Sequence, residues 1–122
     1  MKRVLVVDDY AYLRNTIMEI LISCGYDVLT AEDGQIGIEL AERNLPDLIL
    51  CDVNMPEKNG YELMLALSQN PCTAQIPIIM LTGDVDPRRS GYNLQDNFKD
   101  TIEKPFEAGT LISTVDRYVN GA

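Results

Sequence analysis

The sequence predicts an α/β fold in which five short parallel strands alternate with helices that cover both faces of the sheet. Three observations carry this. Short apolar runs alternate along the chain with segments whose apolar residues recur every three or four positions, the pattern of βαβ units. The runs are continuously apolar, as befits strands buried on both faces. The 122 residues suffice to bury roughly two-thirds of the surface an unfolded chain would expose, so a core needs no disulfide or metal to hold it. No internal repeat, low-complexity stretch or linker interrupts the pattern, and residues 1–122 are expected to form one domain.

Val4-Leu5-Val6-Val7 is a β-branched run closed by Asp8 and Asp9. Leu13, Ile17, Ile20, Leu21 and Cys24 follow at helical spacing, and Gly25 suits the residue that ends a helix. Residues 27–31 read as a second strand, Asp33-Gly34 as a turn and 36–43 as a short helix. Beyond Pro46, Leu48-Ile49-Leu50-Cys51 is a third buried strand that ends in Asp52. Asn54-Met55-Pro56 and Asn59-Gly60 mark a loop before a Leu- and Met-rich helix over 61–69. Residues 76–81 form the fourth strand, with Pro77 near its start where proline is tolerated, and Thr82-Gly83-Asp84 opens a loop. Segment 87–100 is expected to be a short or irregular helix. Pro87 suits a first turn, but Gly91 costs about 1 kcal/mol relative to alanine inside a helix, and Asn93, Asp96 and Asn97 favour turns. Residues 101–103 form a brief fifth strand before Lys104-Pro105, and Leu111, Ile112, Val115, Tyr118 and Val119 share one face of a last helix. Right-handed crossovers leave few ways to connect these elements.

Composition narrows the function. A formal net charge of −9 with no basic stripe argues against direct contact with nucleic acid. No apolar run approaches the roughly 20 residues of a membrane span. Met1-Lys2-Arg3 leads into residues 4–7 and then the aspartates, which is no signal-peptide core. A cytoplasmic protein with no membrane contact is expected. Cys24, Cys51 and Cys72 form no CxxC pair and have no histidine to complete a zinc site, so three reduced thiols in or near the core are expected.

In an open parallel sheet, ligands bind beyond the C-terminal ends of the strands. Four of the five strands end there in reactive groups: Asp8 and Asp9, Asp52, Thr82, and Lys104. Clustered carboxylates repel and hold protons unless a cation neutralises them. The chain has no histidine, and Cys51 should point to the other face of its strand, so the available ligands are hard oxygens that suit Mg²⁺. Lys104 adds a point charge for a phosphate and Thr82 a hydroxyl donor, while Gly83 leaves the backbone open to close approach. A carboxylate is a recognised nucleophile in phosphoryl transfer, a reaction in which the protein chiefly positions groups and neutralises charge. Singly, Asp8 and Asp9 read equally well as a strand end and helix cap, and Lys104 as a surface lysine. Their joint occurrence at strand ends is what favours a site.

With VLVVDD at 4–9, LILCDVNMP at 48–56 followed by Asn59-Gly60, IIMLTG at 78–83 and Lys104-Pro105-Phe106, the chain resembles the receiver domain of two-component response regulators, of the chemotaxis-protein type, over essentially its whole length. The resemblance implies a flavodoxin-like doubly wound sheet with the strand order of that fold family, 2-1-3-4-5. It implies that Asp52 is the phosphoacceptor and that Thr82 and Lys104 contact the phosphoryl group. Asp8, Asp9, Asp52 and the backbone carbonyl of Asn54 would surround Mg²⁺, with Asp9 the more direct ligand and Asp8 acting through water. The Lys104–Pro105 peptide would be cis. Asp84, beside Gly83, and Asn54 stand where such domains tune hydrolysis. The implied protein is a signalling domain rather than a conventional enzyme. Its phosphoryl donor would be a phosphohistidine of a sensor histidine kinase or phosphotransfer protein, and its target an unknown downstream protein. It would act as a monomer or a phosphorylation-dependent dimer.

One position departs from that pattern. Thr101 stands where the family usually carries an aromatic residue that swings inward on phosphorylation, so output is expected through rearrangement of residues 86–100. Three rival readings differ in class. A phosphorylation-independent receiver-like protein-binding module gains support from Thr101. A Mg²⁺-dependent phosphohydrolase would need a second carboxylate where Asn54 stands, and a flavin-binding domain is disfavoured by the acidic rim.

Overall fold

The computed structural model describes residues 1–83 and 85–121. In it β1 (Arg3–Val7), β2 (Asp27–Ala31), β3 (Leu48–Asp52), β4 (Ile78–Thr82) and β5 (Phe98–Glu103) make one parallel sheet in the order β2-β1-β3-β4-β5. The helices are α1 (Ala11–Ser23), α2 (Gly34–Asn44), α3 (Gly60–Ser68) and α4 (Ala108–Asn120). β1 lies between β2 and β3, with Val4 opposite both Val28 and Leu48, so strand order reverses beside β1 and β3. A crevice at the C-terminal ends of these two strands is what this topology provides.

The alternation of side chains along each strand divides the core in two. Leu5, Val7, Ile49, Cys51, Ile78 and Met80 face α2 and α3. Val4, Val6, Leu48, Leu50, Ile79 and Leu81 face Ile17 and Leu21 of α1 and Leu111 and Val115 of α4. Strands buried on both faces account for the unbroken apolar runs.

Caps set the helix ends. Asp33 accepts a hydrogen bond from the Ile36 backbone N–H at 2.8 Å, so Asp33-Gly34, read from sequence as a turn, is the start of α2. Asn59 and Glu62 make a reciprocal capping box on α3. Gly25, at φ +92°, takes the left-handed turn that closes α1. A Cβ at Gly34 would collide with the Lys58 backbone carbonyl, which joins α2 to the β3–α3 loop. Gly34→Ala is therefore expected to cost about 1–3 kcal/mol or more in urea unfolding, since a backbone atom cannot turn aside as a side chain can.

The connection from β4 to β5 differs from expectation. Residues 87–100 contain no α-helix, only a single 3-10 turn at Pro87–Arg89, and β5 begins at Phe98 instead of 101. Gly91 at φ +86° breaks any helix. Buried Asn97 then ties the segment to α3 by donating from Nδ2 to the Met64 carbonyl at 3.1 Å, while its own backbone carbonyl accepts from the Ile78 N–H at 2.8 Å. The cysteines differ as well. Cys51 is buried, but Cys24 and Cys72 are exposed, because they fall at the end of α1 and in the turn after α3.

Candidate functional site

β1 and β3 deliver three carboxylates to the crevice. Asp8, Asp9 and Asp52 each offer an oxygen within 4.8 Å of the others. They are not equivalent. Asp8 is fully buried, Asp52 is partly buried and Asp9 is exposed. Asp8 is also the most constrained. Its Oδ1 accepts from the Tyr10 N–H at 2.9 Å, and its backbone carbonyl accepts from Arg14 Nη1 at 2.9 Å. Tyr10 and Arg14 are site-supporting residues that the sequence motifs did not single out. Arg14 lies on the first turns of α1 directly after the aspartates, a placement that could have signalled it.

Lys104, directly after β5, closes the cluster. Its Nζ lies 3.1 Å from Asp52 Oδ1 and 3.4 Å from Asp8 Oδ2. The Lys104–Pro105 peptide is cis, and the Lys104 N–H donates to the Thr82 carbonyl at 2.7 Å. One cation thus serves two carboxylates, and a third stands at the open side. Burial pushes the Asp52 carboxyl above the usual carboxylate range, Lys104 pulls it back, and Asp8 and Asp9 push it further up. The folded state therefore holds this proton more tightly than the unfolded chain. It follows that the stability of the metal-free protein falls as pH rises from the ordinary carboxylate range through the raised value. Thermal melts in a chelator should show this fall, and Asp52→Asn should flatten it and melt higher at neutral pH.

Thr82 reaches the same rim, but its hydroxyl donates to the Val85 carbonyl at 2.9 Å and not into the carboxylate cluster. Asn54 is exposed on the loop after Asp52 and lines a cleft with Thr82 and Val85. A Cβ at Gly83 would meet no atom within 4 Å, so the backbone there is open. Asp84 lies outside the described residues. Thr101 is half-buried across a cavity from Thr82, apart from the carboxylates. Cys51 points into the α2–α3 core as its strand position requires, and burial pushes its thiol up, so it stays protonated and takes no part in the rim.

The donor set is all oxygen, clustered, and undercompensated by its single lysine. These residues fit a hard divalent cation. Within the crevice, a partly buried carboxylate next to a lysine, with a hydroxyl on the adjoining strand, can receive an electrophilic phosphorus.

The fold is that of a signalling receiver, and residues 4–116 match the response regulator receiver domain family, to which the chain belongs. It is similar to protein PilH of Pseudomonas aeruginosa, 31% identical over 121 residues that cover 99% of this chain and 100% of that protein. It is also similar to chemotaxis protein CheY of Bacillus subtilis, 33% identical over 119 residues covering 97% and 98%. Among solved structures, the receiver domain of sensor histidine kinase PA1611 from Pseudomonas aeruginosa, described with a magnesium ion coordinated in its active-site cleft, superposes with a TM-score of 0.88 at 28% identity, covering 98% of both chains. The protein is thus a CheY-like receiver domain of two-component signal transduction. Among the described residues no helix is long and apolar enough to cross a membrane.

Proposed function

We propose that Asp52 accepts a phosphoryl group from a phosphohistidine of a sensor histidine kinase or phosphotransfer protein, and that the modified domain binds a downstream protein differently. The observation that carries this reading is the pairing of Lys104 with both Asp52 and Asp8 at the rim of the sheet. Mg²⁺, held by Asp8, Asp9, Asp52 and the Asn54 carbonyl, would neutralise the phosphoryl oxygens. An Asp52 oxygen attacks phosphorus, the P–N bond to the donor imidazole breaks, and its electron pair stays on that nitrogen. Lys104 holds Asp52 in place and then offers its charge to the phosphoryl oxygens. Thr82 serves as the hydroxyl donor to the same group once it leaves Val85. Water slowly reverses the modification, so the domain is a switch and not a conventional enzyme.

The surface beside the site supports a protein donor. Exposed Tyr10 and Tyr12, with Leu13, Ile20 and Phe106, line an apolar groove of about 660 Å³ that borders Lys104. Residues 1–122 act in this reading as one cytoplasmic receiver domain that does not contact nucleic acid directly, as a monomer or a phosphorylation-dependent dimer. The missing aromatic at Thr101 keeps one alternative in view, a receiver-like binding module that ignores phosphate. Incubation with acetyl phosphate and Mg²⁺, followed by peptide mapping, separates the two. The phosphoacceptor reading expects one phosphoryl group on the peptide that contains Asp52, removed by prior chelation of the metal. An unlabelled peptide would favour the binding module.

A further inference from the structure

Thr82 and Val85 line two openings at once. One is a cavity of about 330 Å³ between Thr82 and Thr101, walled by Asp86 and Arg89. The other is a cleft of about 230 Å³ that runs from Asn54 to the rings of Tyr61 and Tyr92. The segment 85–97 that replaces a crossover helix therefore lies beside free volume at the point where it meets the site. Its hydrogen bond to the site, among the described residues, is the single one from the Thr82 hydroxyl to the Val85 carbonyl.

Buried Pro87, Leu94 packed on the core and Asn97 bonded to Met64 anchor the segment, but between them residues 91–93 are exposed and held lightly. Tyr92 stacks on Tyr61 of α3 with ring centroids 4.0 Å apart and planes 7° apart, yet Tyr92 remains 56% exposed. Arg88 lies 3.4 Å from Asp86, 3.6 Å from Asp100 and 5.4 Å above the Phe98 ring. Those charge pairs are half-exposed and hold weakly. Gly91, next to Tyr92, already sits at φ +86°, a conformation from which glycine alone moves freely.

A threonine hydroxyl has one proton to donate. A phosphoryl oxygen on Asp52 competes with the Val85 carbonyl for it, and a charged acceptor wins over a neutral one. The Val85 carbonyl is then left without its donor, beside two openings into which the segment can move. The aromatic ring this segment carries next to the cleft is Tyr92.

We propose that Tyr92 is the aromatic switch residue of this chain, in place of the one absent at Thr101. Phosphorylation of Asp52 turns Thr82 away from Val85, the segment pivots at Gly91, and Tyr92 leaves its stack on Tyr61. The inference rests on the reading of Asp52 as phosphoacceptor. Linkage makes it reciprocal. If a phosphoryl mimic weakens the stack, then removing the stack strengthens binding of the mimic. The stack is of a size that makes Tyr92→Ala bind beryllofluoride about two- to tenfold more tightly than the parent, with Tyr92→Phe, which keeps the ring, restoring parental affinity. A residue that merely supported the fold would weaken binding or leave it unchanged.

The chain contains no tryptophan, so Tyr92→Trp places a single indole on Tyr61 as a reporter. Beryllofluoride with Mg²⁺ should change its emission, and adding Asp52→Asn to the same variant should abolish the change. Fluorine NMR of the bound mimic keeps two failures apart. No bound signal in the parent protein overturns the phosphoacceptor reading and this inference with it. A bound signal with unchanged indole emission, and Tyr92→Ala at parental affinity, overturns the role of Tyr92 alone.

Discussion

Asp52→Asn takes up no phosphoryl group from acetyl phosphate and Mg²⁺ under conditions in which the parent chain is labelled; that is the largest effect expected of any single substitution here. Asparagine matches aspartate in size and keeps a carbonyl oxygen where Asp52 Oδ1 now lies 3.1 Å from Lys104 Nζ. What it lacks is the second carboxylate oxygen and the negative charge that make the group a nucleophile. The loss should be to background. Because the substitution also removes a repulsive charge beside Asp8 and Asp9, the variant should remain folded and melt no lower than the parent without metal. This separates lost chemistry from lost structure. Mass spectrometry showing undiminished labelling of the variant would reject Asp52 as acceptor.

The second large effect falls on Lys104. Lys104→Met keeps the length of the side chain and removes the charge shared by Asp52 and Asp8. Breaking a buried ion pair from one side costs about 3–5 kcal/mol, and about 2–3 is expected here because Lys104 is partly exposed. The sign of the pH dependence follows from Asp52. Lys104 lowers its carboxyl, so its removal lets that carboxyl rise further, and the folded state binds its proton at still higher pH. The variant should thus be most impaired near neutrality and recover in mild acid. Mg²⁺ should restore more stability to the variant than to the parent, since the added cation replaces the missing charge. Phosphorylation should stay slower by about a hundredfold or more, because the charge aimed at the phosphoryl oxygens is gone. Urea melts across pH, with and without Mg²⁺, alongside labelling rates, measure both halves. Equal stability of the two chains at neutral pH would show that Lys104 does not hold the cluster together.

Much of the site was legible because its members occupy one repeated position, the end of a strand. In a parallel sheet all such ends meet at one rim, so the residues that close apolar runs are already neighbours. Gly60 shows the limit of that logic. Asn59-Gly60 reads as a loop signal, but only in the fold does a Cβ at Gly60 come within 2.8 Å of the Asp52 backbone carbonyl, which ties the start of α3 to the end of β3. Asp8 and Asp9 show it too. They are alike in sequence, yet one is buried and hydrogen-bonded while the other faces outward.

By itself the sequence determined the alternation of strands and helices and the placing of carboxylates at strand ends. These depend on local periodicity and on a rim that every parallel α/β sheet possesses. The tertiary structure alone decided what depends on distant partners. It brought Lys104 onto Asp8, 96 positions earlier, and set the Thr82 hydroxyl on Val85. It also left the described residues 85–97 between β4 and β5 without an α-helix, held by Asn97 on α3 and by the Tyr61–Tyr92 stack. Residues 87–100 carry weak and conflicting local preferences, and where those nearly cancel, contacts made across the chain select the conformation.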